Sequence, residues 1–164
     1  MPPVTQPKIL SRSQATRWAA AARRRGQRIV ATNGCFDLIH YGHVRSLQRA
    51  RRLGDLLVVG LNSDRSVRRL KGPTRPLAPQ HQRAAVLAAL ECVDAVVIFA
   101  ESNASQFLAA VRPHIYAKGG DYKPGTLNAQ EQALLAGLGV VVKILPLEPG
   151  CSTSELVRKI RAAK

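Results

Sequence analysis

Residues 32–43, TNGCFDLIHYGH, set two histidines three apart around a glycine, directly behind a β-branched run. His40 and His43 fall one helical turn apart, so both imidazoles project from the same side of a helix start. The positive end of a helix dipole and the N–H groups of its first turn favour an anion there. Gly42 removes a side chain where a phosphate would approach the backbone. The guest this predicts is a phosphate chain whose oxygens accept hydrogen bonds from the imidazoles. Two blander readings share the spacing: a metal pair, for which no third Cys or His lies nearby, and ordinary helix-start residues. Neither GxGxxG nor the Walker A pattern occurs, which argues against a dinucleotide-dependent dehydrogenase or a P-loop kinase.

The elements that must hold this stretch read as alternating helices and strands. A helix is predicted from about Ser13 to Arg25, with Ala15, Trp18, Ala19 and Ala22 on one face and Gly26 as its stop. RIVAT, 28–32, is a short strand, and a helix follows the histidines to about Leu53. DLLVVGL, 55–61, is a continuous apolar strand of the kind buried on both faces. A short capped helix through Leu70, a Pro-rich loop over 71–79 and a helix to about Glu91 come next. AVVIF (95–99), HIYA (114–117) and VVVKIL (140–145) are three further strands. Ser102 or Asn103 caps the helix that Pro113 ends; another helix runs from about Ala129 to Gly139. Ser152 with Glu155 forms a capping box for the last one. Five strand–helix alternations predict an α/β fold: a Rossmann-like, doubly wound, five-stranded parallel sheet in one domain, spanning 27–164 behind a helical lead-in over 1–26. Ligands of such sheets bind beyond the carboxyl ends of the strands, where strand order reverses.

Composition narrows the class. The formal charge is +15, and residues 1–83 carry 17 Lys/Arg against 3 Asp/Glu, whereas 84–164 carry 8 against 7. A basic patch attracts nucleic acid, anionic surfaces or small phosphorylated ligands. Aromatics are 4% and none interleave with the arginines, so nucleic acid is not the expected partner. No apolar run is long enough to span a membrane, and MPPVTQPKIL lacks a secretory h-region. Three scattered cysteines match no metal spacing, so a cytoplasmic setting with reduced thiols is expected.

GCFDLIHYGH resembles the His-x-Gly-His signature of the cytidylyltransferase-like nucleotidyltransferases, and CSTSELVRKI, 151–160, resembles their second signature, a Ser/Thr-rich turn opening the last helix. A closer resemblance is to adenylyltransferases acting on D-glycero-β-D-manno-heptose 1-phosphate, carried by LGDLLVVGLNSDRSVRRLKG, RPLAPQHQRAAVLAALECVD and KGGDYKP. No kinase half is present, so the chain resembles the stand-alone form. Glycerol-3-phosphate cytidylyltransferases carry a basic residue near the place of Leu147 and read closer to GDDW where this chain has KGGDY, 118–122. Both differences favour the heptose branch over a cytidylyltransferase acting on a phospho-alcohol.

The resemblance implies strand order 3-2-1-4-5 and in-line attack of a sugar 1-phosphate on the α-phosphate of ATP, releasing pyrophosphate and giving ADP-heptose for lipopolysaccharide synthesis. Catalysis then rests on positioning and charge neutralisation. His40 and His43 would hold the triphosphate, with Lys71 as a phosphate clamp or a solvent-facing loop residue. Arg75 and Arg83 would grip phosphates or serve the surface. Thr32, Asn33, Gly34 and Phe36 would approach the nucleotide, Phe36 alternatively packing in the core. Asp37 would bind magnesium through water or fix the loop, the latter favoured. Lys118 and Gly119 would meet the nucleotide, and Asp121 would bind sugar hydroxyls or form a turn. Ser152, Thr153 and Ser154 would receive the β- or γ-phosphate, or simply cap. Mg²⁺ is expected, held mainly by phosphates and water rather than by a protein metal site, and a homodimer joined through an apolar patch, whose residues the sequence does not name, is a further expectation.

Overall fold

In the computed structural model, which describes residues 7–120 and 127–163, the apolar runs lie side by side as parallel strands. In chain order the elements are β1 (Ile9–Leu10), α1 (Arg12–Arg24), β2 (Ile29–Gly34), α2 (Tyr41–Arg51), β3 (Leu56–Asn62), α3 (Asp64–Lys71), α4 (Gln80–Ala89), β4 (Ala95–Phe99), α5 (Ser105–Val111), β5 (Ile115–Gly119), α6 (Ala129–Gly137), β6 (Val141–Leu145) and α7 (Thr153–Ala162). The sheet order is β1-β4-β3-β2-β5-β6. The five expected strands therefore take the expected order, and a sixth is added at the edge. That strand, β1, pairs Ile9 with Val96 and Leu10 with Val97. Two residues carry no period, so it is invisible to pattern reading.

Local chemistry sets the helix starts. Ser11 accepts from Gln14 N while the Gln14 side chain accepts from Ser11 N at 2.7 Å, a capping box that starts α1 at Arg12. Asn103 accepts from Ser105 N at 3.0 Å, yet α5 begins two residues past it, with Ala104 at the cap. Ser152 accepts from Glu155 N at 3.0 Å as expected. The Glu155 carboxylate turns to Arg158 instead of back to the cap, so that box is half-made.

Helices cover both faces of the sheet. On one face Ala19 and Ala22 of α1, Phe107 and Leu108 of α5 and Leu135 of α6 pack on Val58 and Tyr116. On the other, Leu47 and Ala50 of α2 and Ala84 and Leu87 of α4 pack on Val30, Val59 and Ile115. Gly60 permits the first layer to close, because a Cβ there would meet the Phe107 ring at 2.8 Å. Strand β2 pairs with β3 on one side and with β5 on the other, through Val30 with Ile115 and Ala31 with Tyr116. The reversal of strand order thus falls between β2 and β5, and the loops after both open onto one crevice.

Candidate active site

A cavity of about 860 Å³ lies over the carboxyl edge of the sheet at this reversal. Its floor is made by strand ends: Thr32, Asn33 and Gly34 of β2, Asn62 of β3, and Lys118 and Gly119 of β5. Asn33 Oδ1 accepts from the Tyr116 hydroxyl at 2.6 Å and from Lys118 Nζ at 2.7 Å. The Lys118 ammonium also stands 4.8 Å from the centre of the Tyr116 ring, a cation–π contact. This trio, with Tyr116 and Lys118 buried and Asn33 half-buried, fixes the polar floor between the two neighbouring strands.

His40 and His43 stand on the wall at the start of α2, their ring centres 3.9 Å apart. Gly42 N donates to His40 Nδ1 at 3.1 Å, and His40 N donates to His43 Nδ1 at 3.4 Å. His43 N and Val44 N both donate to the His40 carbonyl. The histidines therefore consume the very N–H groups that were expected to face an anion. Because each Nδ1 accepts, the neutral rings carry their proton on Nε2, and the imidazoles become the outward donors. Burial lowers the His43 pKa to about 4, helped by the adjacent His40 and opposed by the Leu38 carbonyl. Burial also lowers that of His40. Both rings are neutral donors at pH 7.

Gly42 has a different reason from the one expected. A Cβ there would lie 2.8 Å from Cys151 Cβ and 3.1 Å from His40 Cε1. The missing side chain lets the approach to α7 press against the start of α2, so the two helix starts share one wall with Ser152, Thr153 and Ser154. Arg49 of α2 reinforces the junction, donating to the Pro146 carbonyl at 2.9 Å and pairing with Glu148 at 2.5 Å.

Phe36, at φ 45°, is 9% exposed and packs in the core layer of α2 and α4. Its ring tilts against His43 at 5.2 Å and comes within 3.0 Å of where a Gly34 Cβ would stand. Asp37 fixes its loop, accepting from Leu77 N at 2.7 Å and Ala78 N at 3.1 Å. Its second oxygen meets Arg75 at 2.8 Å. Lys71 and Arg75 both line the cavity. Arg83 is neither on that wall nor at the surface: it is 2% exposed. Its guanidinium donates to the Cys35, Asn62 and Ala78 carbonyls and pairs with Asp64 at 2.7 Å. It ties the loop after β2 to the end of β3, so a phosphate-gripping role does not follow from its placement. Asp121 lies outside the described residues. Burial pushes the Cys35 thiol up, with Lys71 and Arg83 pulling it back, so it rests as a thiol.

Sequence reasoning missed the far wall, formed by Ser102, Asn103, Asn128 and Glu131. Asn62 and Ser102 could have been found from their places just at or past strand carboxyl ends; Glu131 carried no such mark. Among the described residues no three His, Cys, Asp or Glu side chains converge to hold a metal, and no helix is long and apolar enough to cross a membrane.

Residues 31–159 match the cytidylyltransferase-like family model, from the floor of the cavity into α7. The bifunctional protein HldE of Syntrophotalea carbinolica is 52% identical over 138 residues, 84% of this chain and 28% of that protein. HldE of Koribacter versatilis is 49% identical over 158 residues, 96% of this chain and 32% of that protein. The chain spans about a third of the length of these curated relatives. Among solved structures, the lipopolysaccharide core biosynthesis protein of Thermoplasma volcanium superposes with a TM-score of 0.61 at 31% identity, covering 75% of this chain and 98% of its own. A pantoate-beta-alanine ligase from Francisella tularensis, 16% identical, shares the fold with a TM-score of 0.60 over 92% of this chain and 72% of its own. The sheet order, the paired helix starts and the matched span agree: the chain belongs to the cytidylyltransferase-like family.

Proposed function

We propose that this chain transfers AMP from ATP to D-glycero-β-D-manno-heptose 1-phosphate, giving ADP-heptose and pyrophosphate for lipopolysaccharide precursors. The observation that carries the reading is the pair of neutral imidazoles held beside a second helix start in one cavity. Similarity of about half the residues to HldE proteins across most of the chain supports the choice of substrates. So does the similarity to a protein of lipopolysaccharide core synthesis.

A sugar-phosphate oxygen attacks the α-phosphorus of ATP; the new O–P bond forms as the bond to the bridging β-oxygen breaks, and pyrophosphate leaves with that electron pair. The nucleophile is already anionic near neutral pH, so no side chain need take a proton. His40 and His43 donate from Nε2 to α- and β-phosphate oxygens, where charge grows in the pentacoordinate state. The start of α7, with Ser152, Thr153 and Ser154, takes the leaving phosphates. Lys71, exposed at the end of α3, closes over them as a cation. Thr32, Asn33, Gly34, Lys118 and Gly119 form the bed of the nucleotide. Arg75, held by Asp37, faces the acceptor phosphate. Among the described residues the carboxylates beside the phosphate end are both committed: Asp37 to Arg75 and two backbone N–H groups, and Glu148 to Arg45 and Arg49. A protein-held metal does not fit there, and Mg²⁺ enters as part of the Mg–ATP substrate. The reading carries a cytosolic setting, where ATP is supplied. A homodimer is its assembly form, supported by the exposed Val141, Val142 and Ile144 of the edge strand β6.

The test is pyrophosphate release with ATP or CTP, each paired with the heptose 1-phosphate or glycerol 3-phosphate, in Mg²⁺. Release with ATP and the heptose alone is expected. Release only with CTP and glycerol 3-phosphate overturns the substrates and keeps the reaction; silence in all four overturns both.

A further inference from the structure

We infer that the far end of the cavity, walled by the loop before α5 and the first turn of α6, binds the hydroxyl groups of the acceptor sugar, with Glu131 as the residue that selects for them. The inference rests on the reaction proposed above.

The cavity has two chemically distinct ends. Around the starts of α2 and α7 the lining is imidazoles, hydroxyls and Glu148, whose charge is matched by Arg45 and Arg49; the cations Lys71 and Arg75 also line the cavity, and the set suits phosphates. Across the carboxyl edge of the sheet the lining is Ser102, Asn103, Asn128 and Glu131, with no Lys or Arg. A carboxylate there repels a phosphate chain and attracts O–H donors.

Glu131 is 5% exposed. One oxygen, Oε1, accepts from Ala104 N at 2.6 Å, which fixes the side chain across the gap between α6 and α5. Among the described residues Oε2 accepts nothing and no cation pairs with it. Oε2 is not sealed from solvent; on a residue that lines the cavity it is an acceptor that a ligand hydroxyl can donate to. Asn128 caps α6, its Oδ1 accepting from Gln130 N at 2.9 Å, which leaves its amide N–H groups for a ligand oxygen. Asn103 is framework: Oδ1 accepts from Ser105 N and Nδ2 donates to Gln130. One acceptor and one donor side by side match neighbouring hydroxyls of a polyol.

The test uses the full chain and titration calorimetry with heptose 1-phosphate alone and with ATP alone. Glu131→Gln keeps an oxygen for the Ala104 N–H while replacing the free one by an N–H₂ group. We expect it to weaken sugar-phosphate binding at least ~10-fold and ATP binding no more than ~2-fold. Ser102→Ala, which removes an exposed hydroxyl that the fold does not use, should weaken the sugar phosphate ~3-fold. Unchanged sugar-phosphate affinity in both variants overturns the inference. So does a loss confined to ATP, which would assign this end to the ribose, and so does a wild type that fails to bind the sugar phosphate. Pyrophosphate release by the wild type is read separately: binding without release refutes the proposed reaction, while the affinity ratio still judges the subsite.

Discussion

A neutral imidazole donates a hydrogen bond to a phosphate oxygen while attracting the ground state less than a cation would, which favours interactions that strengthen as charge accumulates at the α-phosphate. The local geometry enforces this neutrality: each Nδ1 accepts a backbone N–H, and Phe36 buries His43 from below. Titrating His43 by NMR in the free protein should give a pKa near 4, rising when ATP binds because the bound phosphates favour the cation. The same shift sets a stability trend. With a folded pKa lowered from 6.5 to about 4, the unfolded chain binds the extra proton between those values. Stability therefore falls as pH drops through that window and levels off below it. Urea unfolding should show wild type losing roughly 2–3 kcal/mol more than His43→Gln between pH 7 and 4; equal losses would mean the ring is not buried in its neutral form. At this scale the sequence was legible where spacing itself brings side chains together, as for His40 and His43, whose rings meet on the cavity wall. It was not legible for Glu131 or Arg83, because a charged residue on a helix reads as solvated until the fold shows what surrounds it.

Two helix starts share one wall of the cavity, and their closeness depends on Gly42. Alanine there forces Cys151 and the His40 ring to move, since both lie within 3.1 Å of the new Cβ. Gly42→Ala should cost about 1–3 kcal/mol and lower kcat/KM for ATP at least ~10-fold. Adding Cys151→Gly should return most of the activity, as coupled neighbours do in a double-mutant cycle. Full activity in the single variant, or no rescue in the double, would refute the steric reason. Strand positions were legible because β3 and β4 are uninterrupted apolar runs whose both faces are covered. Helix starts were less so: Asn103 is a good cap and makes the cap-like bond, but packing of Ala104 and Phe107 against the sheet decides where α5 begins.

Across the whole molecule the excess of arginine divides into two uses. Arg49, Arg51 and Arg83 tie segments together through Glu148, Asp94 and Asp64, while Arg23 caps α5 by donating to the Val111 and Arg112 carbonyls. Arg65 and Arg68 of α3 stay exposed, near the Lys71 end of the cavity, where they raise the local concentration of anionic substrates. The overall order β4-β3-β2-β5-β6 followed from the resemblance, and the position of the crevice followed from that order. That Ser102, Asn103, Asn128 and Glu131 line the same crevice could not be read beforehand, because the loop before α5 and the start of α6 are brought together only by the fold.

In the proposed reaction His43 stabilises the transition state of adenylyl transfer. The most direct test of this role is the rate of pyrophosphate release from ATP and heptose 1-phosphate by wild type and His43→Ala at saturating substrate. A fall of at least ~100-fold, about 2.7 kcal/mol, in a variant that is still folded at the assay temperature, is the predicted result. A variant that turns over within a few-fold of wild type would contradict the account.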